Sequence, residues 1–243
     1  MRLPSPLKTG RLVRRYKRFL ADIVLDDGRE VVAHCANPGS MLGVAIEGSR
    51  VWVHEHGDAK RKLAFSWELV EIGGILIPVN TTNPNRIAFE AIEAGVIPEL
   101  AGYTNIAREV KYGTGSRIDL LLSGGRRKKP CYVEIKNVHL SRTPGLAEFP
   151  DSVTARGAKH LGELARVADA KKGAKEGARA VMLFVVQRGD CRRFAPAADL
   201  DPLYAKALKS AAAAGVETLC YDCEITTSEA VLRKALEIEL EPR

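Results

Sequence analysis

Between Ala21 and Val79 apolar residues come in short runs, and turn formers interrupt them roughly every 8–12 positions. This alternation predicts strands at 21–25, 30–34, 50–54, 63–70 and 74–79, with turns at Asp26-Asp27-Gly28 and Asn37-Pro38-Gly39-Ser40. No helical period runs through the stretch, so it reads as a small β-barrel or sandwich, and its size suits an OB-like barrel. The polar cluster from Asn80 to Asn85 marks a boundary that divides the chain into 1–82 and 83–243. Beyond it helix and strand patterns alternate. Pro84 can open a helix over 86–94 that Gly95 closes. Strands are predicted at 105–112, 116–122 and 131–138. A helix capped by Asp151 or Ser152 follows to about residue 172, with Ala158, Leu161, Leu164, Ala165 and Ala168 on one stripe. The unbroken apolar run 180–186 predicts a strand covered on both faces. A helix at 203–214, a strand at 216–221 and a terminal helix from Ser228 complete an α/β domain with a mixed sheet.

At 243 residues, 46% apolar and 28% charged, the composition is that of a soluble globular protein. No apolar run reaches the roughly 18 residues of a membrane span. The five cysteines (Cys35, Cys131, Cys191, Cys220, Cys223) are scattered and odd in number, which argues against a disulfide framework and for a reducing, cytoplasmic setting. Phosphate-cradling glycine loops, dinucleotide fingerprints and serine-hydrolase elbows are absent.

The net charge of +7 favours a phosphate-bearing partner, and its placement says where. Residues 1–21 carry seven Lys/Arg and no acid, with Tyr16 and Phe19 interleaved, so Arg14, Arg15, Tyr16, Lys17 and Arg18 are candidate nucleic-acid contacts. Lys60-Arg61-Lys62 and the run Arg126, Arg127, Lys128, Lys129 form two further clusters. Arg156, Lys159 and His160 lie with Glu163 on the polar stripe of the long helix and are candidates to touch a phosphate. A solvated surface is the alternative for each of these groups, and for His160 the simpler one.

The chemistry centres on Ser116-Arg117-Ile118-Asp119, a Gly-containing basic loop, and Glu134-Ile135-Lys136. If the flanking strands form a hairpin about that loop, Asp119 faces Glu134 with Cβ atoms about 5 Å apart, and Lys136 shares their face. Opposed carboxylates repel unless a proton or cation stands between them. A hard divalent ion, Mg²⁺ or Mn²⁺, suits such an oxygen set, with the Ile135 carbonyl as a further ligand, and Lys136 can orient or deprotonate an attacking water. The alternative is a set of cross-strand salt bridges on a solvated face. Glu90 and Glu109 are candidates for an additional acid.

Several segments together, Arg15–Asp22, His34–Met41, Glu109–Gly113 running on to Ser116–Asp119, and Phe149–Leu161, closely resemble the sugar fermentation stimulation protein A family. The resemblance covers nearly the whole chain. It implies an N-terminal OB-like domain followed by a domain similar to the PD-(D/E)xK nucleases. That nuclease pattern falls on Asp119 and Glu134 as the acids and Lys136 as the lysine, with Ile118 where the pattern has proline. The resemblance also implies DNA binding without sequence specificity and a role in sugar (maltose) metabolism. Turnover as a Mg²⁺-dependent nuclease acting on DNA or RNA is the alternative activity.

Overall fold

The computed structural model describes residues 1–58, 60–113, 115–125, 129–169 and 177–240. Its first unit is built from β1 (Leu7–Tyr16), β2 (Leu20–Leu25), β3 (Glu30–His34), β4 (Arg50–Glu55), β5 (Phe65–Ile72) and β6 (Ile75–Pro78). The sheet runs β3-β2-β1-β4-β5-β6, and a parallel β3–β5 pairing closes the first five strands into the expected OB barrel. Leu12, Ile23, Val51, Val53 and Trp67 fill it.

The basic N-terminal segment is itself a strand, which the sequence pattern had not predicted. Leu12 points into the barrel while Arg11, Val13 and Arg14 point out, because a register shift between Leu12 and Arg14 breaks the alternation. Gly10 lets β1 and β2 close up: a Cβ there would lie 2.4 Å from the Val24 carbonyl oxygen. The predicted strand at 74–79 stands outside the closed barrel as β6, hairpinned onto β5.

The second unit begins with α1 (Asn83–Glu93), a 3₁₀ turn (Pro98–Leu100), β7 (Asn105–Tyr112), β8 (Ser116–Ser123) and β9 (Cys131–Val138). It continues through β10 (Leu146–Phe149), α2 (Ala155–Ala168), β11 (Arg179–Val186), β12 (Arg193–Pro196), α3 (Pro202–Ala213), β13 (Glu217–Ile225), β14 (Ala230–Ala235) and β15 (Glu237–Ile238). Its main sheet has the order β14-β13-β11-β9-β8-β7, parallel through β9, β11 and β13 and antiparallel at both sides. β11 is covered on both faces, as its unbroken apolar run predicts. Val181, Leu183 and Val185 meet the α1-side core, and Ala180, Met182, Phe184 and Val186 meet the α2/α3-side core.

Three expectations need correction. The predicted terminal helix is the strand β14: Ala230 and Leu232 are buried while Val231 and Arg233 are exposed, a period of two that outweighs the helix-favouring composition. β10, β12 and β15, too short to show a period, form a separate parallel sheet. The long helix is capped by Thr154, whose hydroxyl accepts from the Gly157 N–H at 3.1 Å, because Asp151 is engaged elsewhere. The Asp151 carboxylate accepts from the Met41 N–H at 2.8 Å and its carbonyl from the Ser40 hydroxyl at 2.7 Å, fastening the barrel to the second unit. The end of that predicted helix, from 170 on, lies outside the described residues. No described helix is long and apolar enough to cross a membrane.

Candidate active site

The site grows from an irregularity that β7 and β8 share. On β8, Ile118 packs into the α2-side core but Leu120 and Leu122 into the α1-side core. Residues two apart on a regular strand share a face, so β8 changes phase at Asp119. β7 changes with it: Ile106 packs on the α1 side, Val110 and Tyr112 on the α2 side. Between them Glu109 adopts a φ of 53°, a left-handed conformation that costs a non-glycine residue about 1–3 kcal/mol.

The β8–β9 ladder pairs Leu120 with Val133, Leu121 with Tyr132 and Leu122 with Cys131, which is the register expected from the sequence. Past Leu120 the strands part, and Asp119 turns onto the β9 backbone. Its Oδ2 accepts from the Ile135 N–H at 2.7 Å and its Oδ1 from the Asn85 amide at 2.8 Å. Burial, then the nearby Glu134 charge, push the Asp119 carboxyl up to about 6 in spite of these donors and Lys136.

Glu134 is 3% exposed and is held from two sides. Its Oε1 accepts from Lys136 Nζ at 2.7 Å and makes a very short contact with His160 Nδ1. The Arg156 Nε donates to His160 Nε2 at 3.3 Å, which leaves the ring proton on Nδ1, facing Glu134. Burial alone would raise the Glu134 carboxyl. The His160 and Lys136 interactions outweigh it and hold the group below its ordinary range. Among the described residues its second oxygen, Oε2, is buried with no hydrogen-bond partner, as are the Tyr112 and Tyr204 hydroxyls and both Glu163 oxygens, one of which lies 3.8 Å from Lys159 Nζ. Burial, reinforced by the Glu134 charge, drives both tyrosines upward. Among the described residues, no group of three or more His, Cys, Asp and Glu side chains is placed to hold a metal. Asp119 and Glu134 offer carboxylate oxygens, the donor type that suits a hard, well-hydrated ion.

Comparison with known proteins fits this geometry. Residues 82–229 match the sugar fermentation stimulation protein RE domain and residues 13–79 the SfsA N-terminal OB domain. The sugar fermentation stimulation protein homolog of Maricaulis maris is 53% identical over 240 residues, spanning 99% of each chain. That of Brucella ovis is 56% identical, covering 93% of this chain and 92% of its own. The chain belongs to the sugar fermentation stimulation protein family. A solved Pyrococcus furiosus SfsA, described as in complex with Ca²⁺, superposes with a TM-score of 0.82 at 30% identity over 98% of both chains.

Within this family frame, the structure brings Asp119, Glu134, Lys136 and His160 together, with Ile135 joining through its backbone. It does not bring Glu90 there: that carboxylate pairs with the Met1 amine at 2.8 Å and with Arg86 at 2.9 Å. Glu109 is exposed, at the register position across from Asp119. His160 is 5% exposed, so the polar stripe of α2 is a buried contact with β9 rather than a solvated face at this point. Arg156 and Lys159, on the same helix, are exposed.

In the barrel, Arg14 is engaged by Asp22 at 2.7 Å and lies over the Tyr16 ring. Arg15 donates to the carbonyls of Arg18, Asn37, Gly39 and Ser40 and is a structural tie. Lys17 and Arg18 are exposed at the β1–β2 turn. Arg126, Arg127 and Lys128 lie outside the described residues. Sequence reasoning missed Asn85 and Tyr112 altogether. Glu163 carried a usable signal, three residues after His160 and so on the same helix face.

Proposed function

We propose that the chain binds DNA through its backbone phosphates, without reading sequence, and holds a divalent cation, Mg²⁺ or Mn²⁺, at Asp119, Glu134 and the Ile135 carbonyl. The observation that carries this reading is the buried, unpartnered Oε2 of Glu134 beside a second carboxylate that its charge has helped push up to about 6. A buried carboxylate oxygen without a donor is costly, and a cation relieves both that cost and the repulsion. The Pyrococcus relative described with Ca²⁺ supports the choice of a hard ion. When bound, the metal supplies Lewis-acid polarisation of a phosphodiester and stabilises negative charge developing on it.

The chain's own groups have distinct parts. His160 and Lys136 keep Glu134 anionic, and the Ile135 N–H and Asn85 fix the Asp119 carboxylate in place. Lys17 and Arg18 are exposed cations that would meet phosphates, as would Arg156 and Lys159, which also touch His160 and Glu163. A role in sugar (maltose) metabolism would operate through this DNA binding.

A second reading, an active nuclease on DNA or RNA, is favoured by Lys136: its ammonium sits on Glu134 Oε1, where it can orient an attacking water. Calorimetric titration of Mn²⁺ separates the metal reading from a purely structural salt-bridge cluster. Wild type should bind, and Asp119→Asn and Glu134→Ala should not; no heat with wild type, or equal heat with the variants, overturns it. Incubation with plasmid DNA and with RNA in Mg²⁺ tests turnover. Cleavage that disappears in Lys136→Met supports the nuclease reading, and inert wild type overturns it.

A further inference from the structure

We infer that the exposed end of the β7–β8 hairpin, at Lys111 and Arg117, is a binding edge for the phosphate backbone of a nucleic acid. The inference rests on the DNA-binding reading above and names a surface that carries it.

Lys111 and Arg117 are register partners across the β7–β8 ladder, so their side chains leave the same face of the hairpin, and both are exposed. Like charges placed directly opposite destabilise a strand pair. Among the described residues, neither side chain has a hydrogen bond or an ion pair. Glu109, the acid two positions earlier on β7, pairs with neither of them.

Most other strand cations are engaged, and the other opposed pair, Arg11 and Arg50 across β1 and β4, reaches the Gly48 carbonyl and the Trp52 ring. Lys8 meets Glu55, Arg14 meets Asp22, Arg179 meets Glu217 and Arg233 meets Asp222. The unanswered pair stands on the edge strand β7 and its neighbour, two residues from Asp119. Where the barrel's opposed pair has a carbonyl and a ring as partners, this pair beside the acidic centre has none and is open to an anion. Next to a phosphodiester site that anion is a backbone phosphate. Arg108 extends the same edge, its guanidinium carbon 3.6 Å from the Phe89 ring centroid.

Edge-strand cations can also serve only to prevent sheet-to-sheet association, and the experiment separates the two roles. The full chain and the variant Lys111→Ser/Arg117→Ser are titrated with a fluorescent 20-base-pair duplex of arbitrary sequence in Ca²⁺, between about 50 and 200 mM salt. For the double variant we expect at least tenfold weaker binding at the low-salt end and a salt slope smaller by about two. Its Tm should equal or exceed that of wild type, since a repulsion has been removed. Arg117→Glu, which sets an acid across from Lys111, should raise Tm and weaken binding further.

Unchanged affinity and slope overturn the inference and leave the DNA-binding reading intact, and self-association of the double variant at unchanged affinity does the same. So does displacement of the duplex by millimolar inorganic phosphate at matched ionic strength, which would assign the edge to free anions. Wild type that fails to bind DNA at all overturns both.

Discussion

In the β1–β2 hairpin of the barrel, Arg14 stands across from Asp22, and the pair closes at 2.7 Å. Beside it Arg15 commits its guanidinium to four backbone carbonyls. In the β7–β8 hairpin, Lys111 stands across from Arg117 with nothing between them. One strand further in, Glu134 is held through one oxygen while the other is buried and bare. Both regions are rich in charge. The first engages Arg14 and Arg15 internally and leaves only its turn cations Lys17 and Arg18 open; the second has left repulsion and empty hydrogen-bonding capacity around Asp119. Charge density alone, which singles out residues 2–18, therefore points at the region where much of the charge is already engaged. Unmet charge points at the junction of β7, β8, β9 and α2.

The greatest change should come from the site. Glu134→Ala leaves Lys136 and His160 facing a buried gap, and urea unfolding should show a loss of about 3–5 kcal/mol. A loss below about 1 kcal/mol would mean that the cluster is not held together by that carboxylate.

Asp119→Asn should act in the opposite direction in metal-free protein. Unfolded, this carboxyl ionises at 3.8; folded, it keeps its proton up to about 6. The folded state therefore binds more protons between those values, and wild-type stability falls as pH rises through that window. At pH 8 the variant should be more stable than wild type by a margin on the order of 3 kcal/mol, fading below about pH 4. The introduced amide can keep both contacts if the Asn85 amide flips. A saturating divalent ion should then stabilise wild type and not the variant.

Arg15→Ala tests the satisfied side. It should cost about 2 kcal/mol through the lost carbonyl contacts. DNA affinity measured well below its Tm should stay within about twofold of wild type; a loss as large as a phosphate contact gives, with its change in salt slope, would move Arg15 into the interface. The weakest response is expected from Arg14→Ala, which removes a solvent-exposed pair with Asp22 and should give a shift barely resolvable by denaturation.

Much of this was legible in the sequence. The β8–β9 register followed from centring a hairpin on the basic loop and placed Asp119, Glu134 and Lys136 in one neighbourhood. β11 announced itself by an unbroken apolar run. What stayed hidden was set by tertiary context. Asn85 reaches Asp119 only because α1 starts over β8. The phase change at Glu109 and Asp119 leaves no periodic trace, since it exchanges one alternating pattern for its mirror image. His160 and Glu163 look solvated because a polar helix stripe facing a polar strand has the same sequence as one facing water. β14 has a helix-favouring composition, and its period of two takes effect because it pairs with the open side of β13.

Everything proposed for the site turns on the bare oxygen of Glu134 being kept for a cation shared with Asp119. Anomalous diffraction from a crystal of the full chain soaked in Mn²⁺ would show that ion itself. One strong peak is expected within coordination distance, about 2.2 Å, of an oxygen of each carboxylate. A map with no peak there at saturating Mn²⁺, and Glu134 still closed on Lys136 and His160, would contradict it.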